Sequence, residues 1–241
     1  MIPQFHFATT AVFITLLALL SYFLLLLSSP MKSLVNKFFL EEDRSLAWRM
    51  YERLGGAFIL GVLPASLILI ITHVNDSAIL FTGAITRFYL IPVFCVTILI
   101  INFFATRKAA NRIGYPLIIK KNWTGSLLLV NQLTWAVYLF AYEYLLRGVL
   151  FSSCIVLVGL PTATIINIVL YSVLHFRRGI KQMIFAIPFG VVLCLLTVAT
   201  SSWITAALLH TAFATSYEFF VISYGKKWGR SSRRHPSLSS H

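Results

Sequence analysis

Glu143, Arg147, His175 and His210 are the residues of this chain whose types and setting could do chemistry. Each stands in a run of apolar residues. A charged side chain in hydrocarbon costs about 3 kcal/mol or more, so it is kept where it is paired or faces a wet cavity. Glu143 and Arg147 are four apart, so on a helix they share a face and can meet. Gln132 falls on the same stripe by the 3.6-residue period. Asn167, Tyr171 and His175 follow one another at four-residue steps and make a second stripe. His210, Ala214 and Glu218 make a third, with Ser201, Ser202 and Thr205 just before it. A carboxylate with two imidazoles suits the activation of water for hydrolysis. It also matches a His-His-Glu metal set with an open position, and a divalent metal such as zinc is the one cofactor these residue types leave open. The Glu-Arg pair fits equally a buried structural pair, or a proton or ion path in a transporter. The chain has no His-Glu-x-x-His run and no Gly-x-Ser-x-Gly.

The elements that must hold these groups are membrane helices. The hydrophobic fraction is 59%, mean hydropathy is +0.85 and only 11% of residues are charged. A soluble domain of this length needs about twice that charge to cover its surface. Several apolar runs reach the roughly twenty residues that span a bilayer. The net charge of +13 could suggest nucleic acid, but the lysines and arginines fall in blocks between apolar runs. That is the pattern of positively charged cytoplasmic loops, and nucleic-acid binding is not expected. Cys95, Cys154 and Cys194 lie in apolar runs without metal-ligand spacing and read as small buried residues.

In chain order, Phe5 to Leu27 forms the first span; no Lys or Arg precedes it, and it reads as a retained helix with its N-terminus outside. A basic block follows, Lys32, Lys37, Arg44, Arg49 and Arg53, in which Leu46, Trp48, Met50 and Tyr51 suggest a helix at the interface or a solvated loop helix. Leu54 to Thr72 is the second span, His73 to Ser77 an external loop, and the third span ends near Ala105 with Arg87 at its outer edge. Arg107, Lys108, Arg112, Lys120 and Lys121 make the second block. From Trp123 to Phe176 there are 54 residues with Arg147 as the one Lys or Arg, room for two crossings that break near Gly148 or at Gly159-Leu-Pro161. Arg177, Arg178 and Lys181 form the third block, Ile184 to Val198 the next span, and Trp203 to Ile222 the last. The four blocks, counting the tail, hold eighteen of the twenty Lys and Arg, and place about seven spans. The expected fold is an all-α polytopic transmembrane bundle with a cytoplasmic C-terminus. It divides into a three-span region (1–122), a core with the polar motifs (123–223) and a basic disordered tail (224–241). Glu218 lies near the cytoplasmic end of its span, where it is expected to reach water or Lys226.

The polar stripes resemble the motifs of the CPBP intramembrane endopeptidases, a family that includes the type II CAAX prenyl endopeptidases and bacterial bacteriocin-processing or immunity proteins. The family pattern is Glu-Glu-x-x-x-Arg-Gly, then Phe-x-x-x-His, then His-x-x-x-Asn, each on its own helix. Here these read Tyr142-Glu143-Tyr-Leu-Leu-Arg147-Gly148, Tyr171-Ser-Val-Leu-His175 and His210-Thr-Ala-Phe-Ala214, over roughly Trp123 to Phe220. The resemblance implies cleavage of a peptide bond in or near the membrane. It assigns His175 to orienting water, Glu143 and Arg147 to bracing the site, and His210 to donating to the oxyanion. Two positions depart from the pattern: the first Glu is Tyr142 and the Asn is Ala214. Tyrosine, with a reference pKa of about 10, is a poor general base at neutral pH. Losing one oxyanion donor typically costs about a hundredfold in rate. The sequence therefore leaves two readings of one fold: a weak protease that recruits Glu143 as base, or a degenerate member that binds a membrane peptide or partner. A transporter is a third class. Membrane lipids are expected around it, and the absence of targeting signals fits a bacterial inner membrane.

Overall fold

The computed structural model describes residues 2–71, 87, 89–108, 114–120 and 122–231. The expected external loop at 73–77, Thr72, Arg112, Lys121 and the tail beyond 231 lie outside the described residues, as do the side chains of Lys226, Lys227 and Arg230. Every described element is helical. They are α1 (Ile2–Leu27), α2 (Ser29–Phe38), α3 (Glu41–Ala57), a π-helical stretch Phe58–Val62, α4 (Leu63–Ile71), α5 (Leu90–Ala105), α6 (Gly125–Glu143), a second π-helical stretch Tyr144–Phe151, α7 (Ser152–Leu174), a 3₁₀ turn Phe176–Arg178, α8 (Ile180–Thr200) and α9 (Trp203–Ser231). Among the described residues, four stretches are long and apolar enough to cross a membrane: Gln4–Leu27, Asp43–Ile71, Gly125–Leu174 and Ile180–Thr200. Leu90–Ala105 is apolar but shorter. This is an all-α membrane bundle.

The helices turn apolar side chains both inward and outward. On α1, Ala11, Ile14, Ala18 and Tyr22 are buried at helical spacing, while Phe13, Leu20 and Leu24 are exposed on the opposite side. An apolar outer face over this much of the surface suits lipid and would be a liability in water. The core gathers Tyr142, Leu145, Leu146, Leu150 and Phe151 against Tyr171, Leu193, Ala206 and Leu209.

One local feature differs from the sequence expectation, and one choice that the sequence leaves open is decided. Leu46 to Tyr51 do not form a separate interfacial helix. They belong to α3, which runs on through the Phe58–Val62 stretch into α4. The break expected in the 123–176 segment falls at Gly159, whose φ of 78° and ψ of 164° lie outside the helical region. The chain folds back there. Asn167 Nδ2 donates to Leu146 O at 2.7 Å, whereas a straight helix would separate those residues by about 30 Å. Glycine suits this turn because φ is positive, and Pro161 two residues later favours the restart of a helix.

Gly148 does not break the chain. It lies inside the wide π-helical turns of Tyr144–Phe151, where Leu145 to Phe151 are all buried. Such turns displace carbonyls from the regular ladder, and buried carbonyls need other donors. Asn167 supplies one to Leu146 O, and the Ser152 hydroxyl supplies another to Gly148 O.

Candidate functional site

The site is built where α6, α7 and α9 meet beside the π-helical turns. Glu143, at the end of α6, is fully buried. Its Oε1 lies 2.6 Å from His210 Nδ1 on α9. Its Oε2 lies 2.9 Å from Arg147 Nη1. The four-residue spacing of Glu143 and Arg147 thus brings them together, as their shared face requires. The Arg147 guanidinium also sits 4.3 Å from the centre of the Tyr171 ring, a cation–π contact that is strengthened by desolvation. Tyr171 stands between the two imidazoles, with ring centres 4.6 Å from His175 and 5.8 Å from His210. His175 ends α7, and its Nδ1 is 2.8 Å from Tyr171 O. That contact donates from Nδ1, so Nε2 is left as the acceptor.

Tyr142, His175, His210 and Ala214 line one cavity of about 50 Å³, together with Trp135, Tyr138, Leu139, Leu174 and Arg178. That is room for a few water molecules. All four positions that differ or agree with the endopeptidase pattern at its reacting centre therefore face the same space. Glu143 and Arg147 do not line it; they stand behind His210 and Tyr171. Tyr142 is 5% exposed, and its hydroxyl has no partner among the described residues. Ala214 contributes a methyl group where the pattern has an amide.

The Glu143–His175–His210 set does not fit a metal. Among the described residues no three His, Cys, Asp or Glu side chains converge as a metal requires. Glu143 spends its two oxygens on His210 and Arg147, and His175 turns one ring nitrogen to the Tyr171 carbonyl.

Other expected polar groups sit elsewhere. Glu218 does not reach water or a tail lysine: it is fully buried. Its Oε1 accepts from Leu117 N at 2.8 Å, and its Oε2 accepts from Asn131 Nδ2 at 3.1 Å and lies 3.6 Å from Arg53 Nη2. Arg53, expected in a solvated loop, is 4% exposed and donates to Asn131 Oδ1 at 2.7 Å. Gln132 lies off the site, and its buried amide finds no partner among the described residues. Ser202 and Thr205 hold the turn into α9: Ile204 N donates to Ser202 Oγ at 3.3 Å, and Thr205 Oγ1 to Ser202 O at 2.7 Å. The sequence reading overlooked Trp135, Tyr138 and Arg178 as cavity walls. The signal was present. Trp135, Tyr138 and Tyr142 fall at helical spacing on α6, and Arg178 follows His175 by three residues.

Residues 122–216 match the family described as Type II CAAX prenyl endopeptidase Rce1-like. That match supports a likeness of the segment to the CPBP group of membrane endopeptidases. No curated protein and no solved structure matches the chain. The CAAX-endopeptidase segment takes in Tyr142, Glu143, Arg147, Tyr171, His175, His210 and Ala214, and with them the cavity from Trp135 to Ala214. Arg53 and Glu218 fall outside it. The long apolar helices make it an integral membrane protein, and the matched segment is similar to an intramembrane protease.

Proposed function

We propose that this protein binds a peptide at the membrane, in the cavity of an endopeptidase fold, without cleaving it at an appreciable rate. One observation carries the reading: the cavity wall has two imidazoles and two phenols but no carboxylate. Glu143, the available base, is held through both oxygens behind the wall. To reach the cavity it would have to leave Arg147 as an unpaired buried cation, at a cost of about 3–5 kcal/mol. Tyr142 is a poor base and Ala214 offers no donor to an oxyanion. What remains is a small, largely aromatic cavity with a few polar groups that can meet a bound backbone. We place the protein in a bacterial inner membrane, with lipids and a membrane-associated peptide or protein as its partners.

A second reading rests on the Glu143–His210 pair. A carboxylate 2.6 Å from one imidazole nitrogen orients the ring, so that the other nitrogen can take a proton from water. On this reading the protein is a slow hydrolase with His210 as base.

Mass spectrometry of peptide fragments from membranes separates the two. Membranes carrying the wild type, His210→Ala and the double variant Tyr142→Glu, Ala214→Asn are compared. The binding reading predicts products from the double variant alone. Products from the wild type that vanish in His210→Ala would establish the hydrolase instead.

A further inference from the structure

The chain between Gln4–Leu27 and Asp43–Ile71 joins one membrane-length stretch to the next, so it stays at one face of the bilayer. α1, of 26 residues, is about 39 Å long and outreaches a hydrocarbon layer of roughly 30 Å, so α2 starts at headgroup level. The residues of α2 fall on two stripes at the helical period. Met31, Leu34, Val35 and Phe38 make the apolar stripe, and Lys32, Ser33, Asn36 and Lys37 the polar one. Val35 is buried, but Leu34 is 52% and Phe38 68% exposed, and the exposed apolar surface runs on through Phe39 and Leu40. The helix is held in this pose at both ends. Ser28 Oγ accepts from Met31 N at 3.4 Å, and Arg44 of α3 donates to Asn36 O at 3.1 Å and to Phe39 O at 3.3 Å.

α2 carries two lysines and no acidic residue. Among the described residues neither lysine has a carboxylate within ion-pair distance. Asp43 is taken by Lys120, and Glu52 by Arg49 and Arg177. Lys32 Nζ stands 5.6 Å from the centre of the Trp48 ring, which packs on Tyr51 with ring centres 5.4 Å apart. Tryptophan and tyrosine favour the headgroup level, and a helix divided in this way lies in the plane of the interface. We infer that α2 is an anionic-lipid anchor: Leu34, Phe38, Phe39 and Leu40 lie among acyl chains, and Lys32 and Lys37 hold the phosphates of anionic phospholipids. The apolar stripe alone would accept any bilayer; the two lysines select the anionic one. A second copy is the poorer cover, because a two-fold contact would bring two such basic helices together with no acid on either. The anchor does not depend on what the cavity holds. The interfacial role expected of Leu46 to Tyr51 thus passes to the helix before them, with Trp48 and Tyr51 beside it.

The test uses the full chain in lipid nanodiscs, made of phosphatidylcholine or of an equal mixture of phosphatidylcholine and phosphatidylglycerol. Amide hydrogen exchange over 31–40 is read by mass spectrometry, with α8 as the internal reference. Each lysine near an anionic surface is worth about fivefold in binding. Exchange in α2 is therefore expected to be about tenfold slower in the mixture, with α8 unchanged, and the difference should shrink at high salt. Lys32→Gln, Lys37→Gln should abolish the difference and leave the rate in phosphatidylcholine as it was, while Lys32→Arg, Lys37→Arg should keep it. Leu34→Ser, Phe38→Ser should speed exchange in both lipids. Unchanged exchange in α8 shows that each variant is folded, as exposed side chains predict. Equal rates in the two lipids for the wild type would mean an interface taken without recognition of charge, and would overturn the anchor. A phosphatidylglycerol effect that survives Lys32→Gln, Lys37→Gln, or that slows α8 as much as α2, would overturn it too, by placing the anion elsewhere. Protection found only in discs that hold two copies would make the second copy the cover instead.

Discussion

The imidazole of His210 meets the carboxylate of Glu143 at 2.6 Å, across a distance of 67 residues in the chain. The other oxygen of that carboxylate holds Arg147 at 2.9 Å. Three buried groups on three elements, α6, the π-helical turns and α9, therefore form one unit. Removing Arg147 leaves Glu143 as a buried charge without a strong cation, and Arg147→Ala is expected to lower stability by about 3–5 kcal/mol. The double variant Glu143→Gln, Arg147→Met removes both charges and keeps the volume, so it should lose clearly less. Denaturant titration in detergent measures both. Equal losses would mean that packing, not charge pairing, sets the cost.

Tyr142 offers a sharper check on what the cavity is for. Its hydroxyl is buried with no partner among the described residues. Tyr142→Phe should therefore leave stability unchanged or raise it by about 1 kcal/mol, since an unpaired polar group is removed. The same change should weaken peptide binding. A loss of stability without a loss of binding would place the hydroxyl in the protein's own hydrogen bonding.

Gly148 is where the π-helical turns touch α9. A Cβ there would lie 3.0 Å from Trp203 Cδ1 and 3.2 Å from its Cγ. Trp203 also packs on Phe140 and Tyr144, so it has little room to give. Gly148→Ala should cost about 1–3 kcal/mol by overpacking. Trp203→Leu, harmful alone, should recover part of that loss in the double variant, a coupling that thermal melts in detergent can read.

The Arg53–Asn131–Glu218 network predicts a structural effect away from the cavity. Glu218→Ala removes the acceptor of Leu117 N and the counter-charge of Arg53. It should cost about 3–5 kcal/mol and raise hydrogen exchange at Leu117. Glu218→Gln keeps an acceptor and should cost less. An unchanged Leu117 amide in Glu218→Ala would show that the backbone there is held by other contacts.

Much of this was legible in the residues, and the reasons differ from group to group. Glu143 and Arg147 announced themselves because charge in hydrocarbon is expensive and four residues make one turn. His175 and His210 were visible for the same reason, and their shared cavity follows from the motifs lying on neighbouring helices. The membrane class followed from apolar runs and sparse charge. Arg53 and Glu218 were misplaced. Each lies at the edge of a basic or polar block, where composition suggests water. Their pairing joins residues 165 positions apart, which no local pattern can report. Asn131 pairs with Arg53 and Glu218 while the amide of its neighbour Gln132 does not: one step along a helix turns a side chain by about 100°, and only packing decides which of two adjacent amides meets a partner. The choice between Gly148 and Gly159 as the break needed the backbone, because glycine permits a turn without requiring one.

The Glu218 carboxylate also bears on how the protein can be cut. It binds Leu117 and Arg53, both upstream of the matched 122–216 segment, and it lies just downstream of that segment itself. A truncation drawn at the edges of the recognisable family region would discard the arginine and the backbone amide while keeping Asn131, and a longer one ending after α9 would carry an uncompensated negative charge in its interior. The smallest piece that can be expressed as a folded unit therefore reaches back at least to Arg53 and forward past Glu218. Homology marks where the family pattern stops, and the ion pair marks where the molecule does.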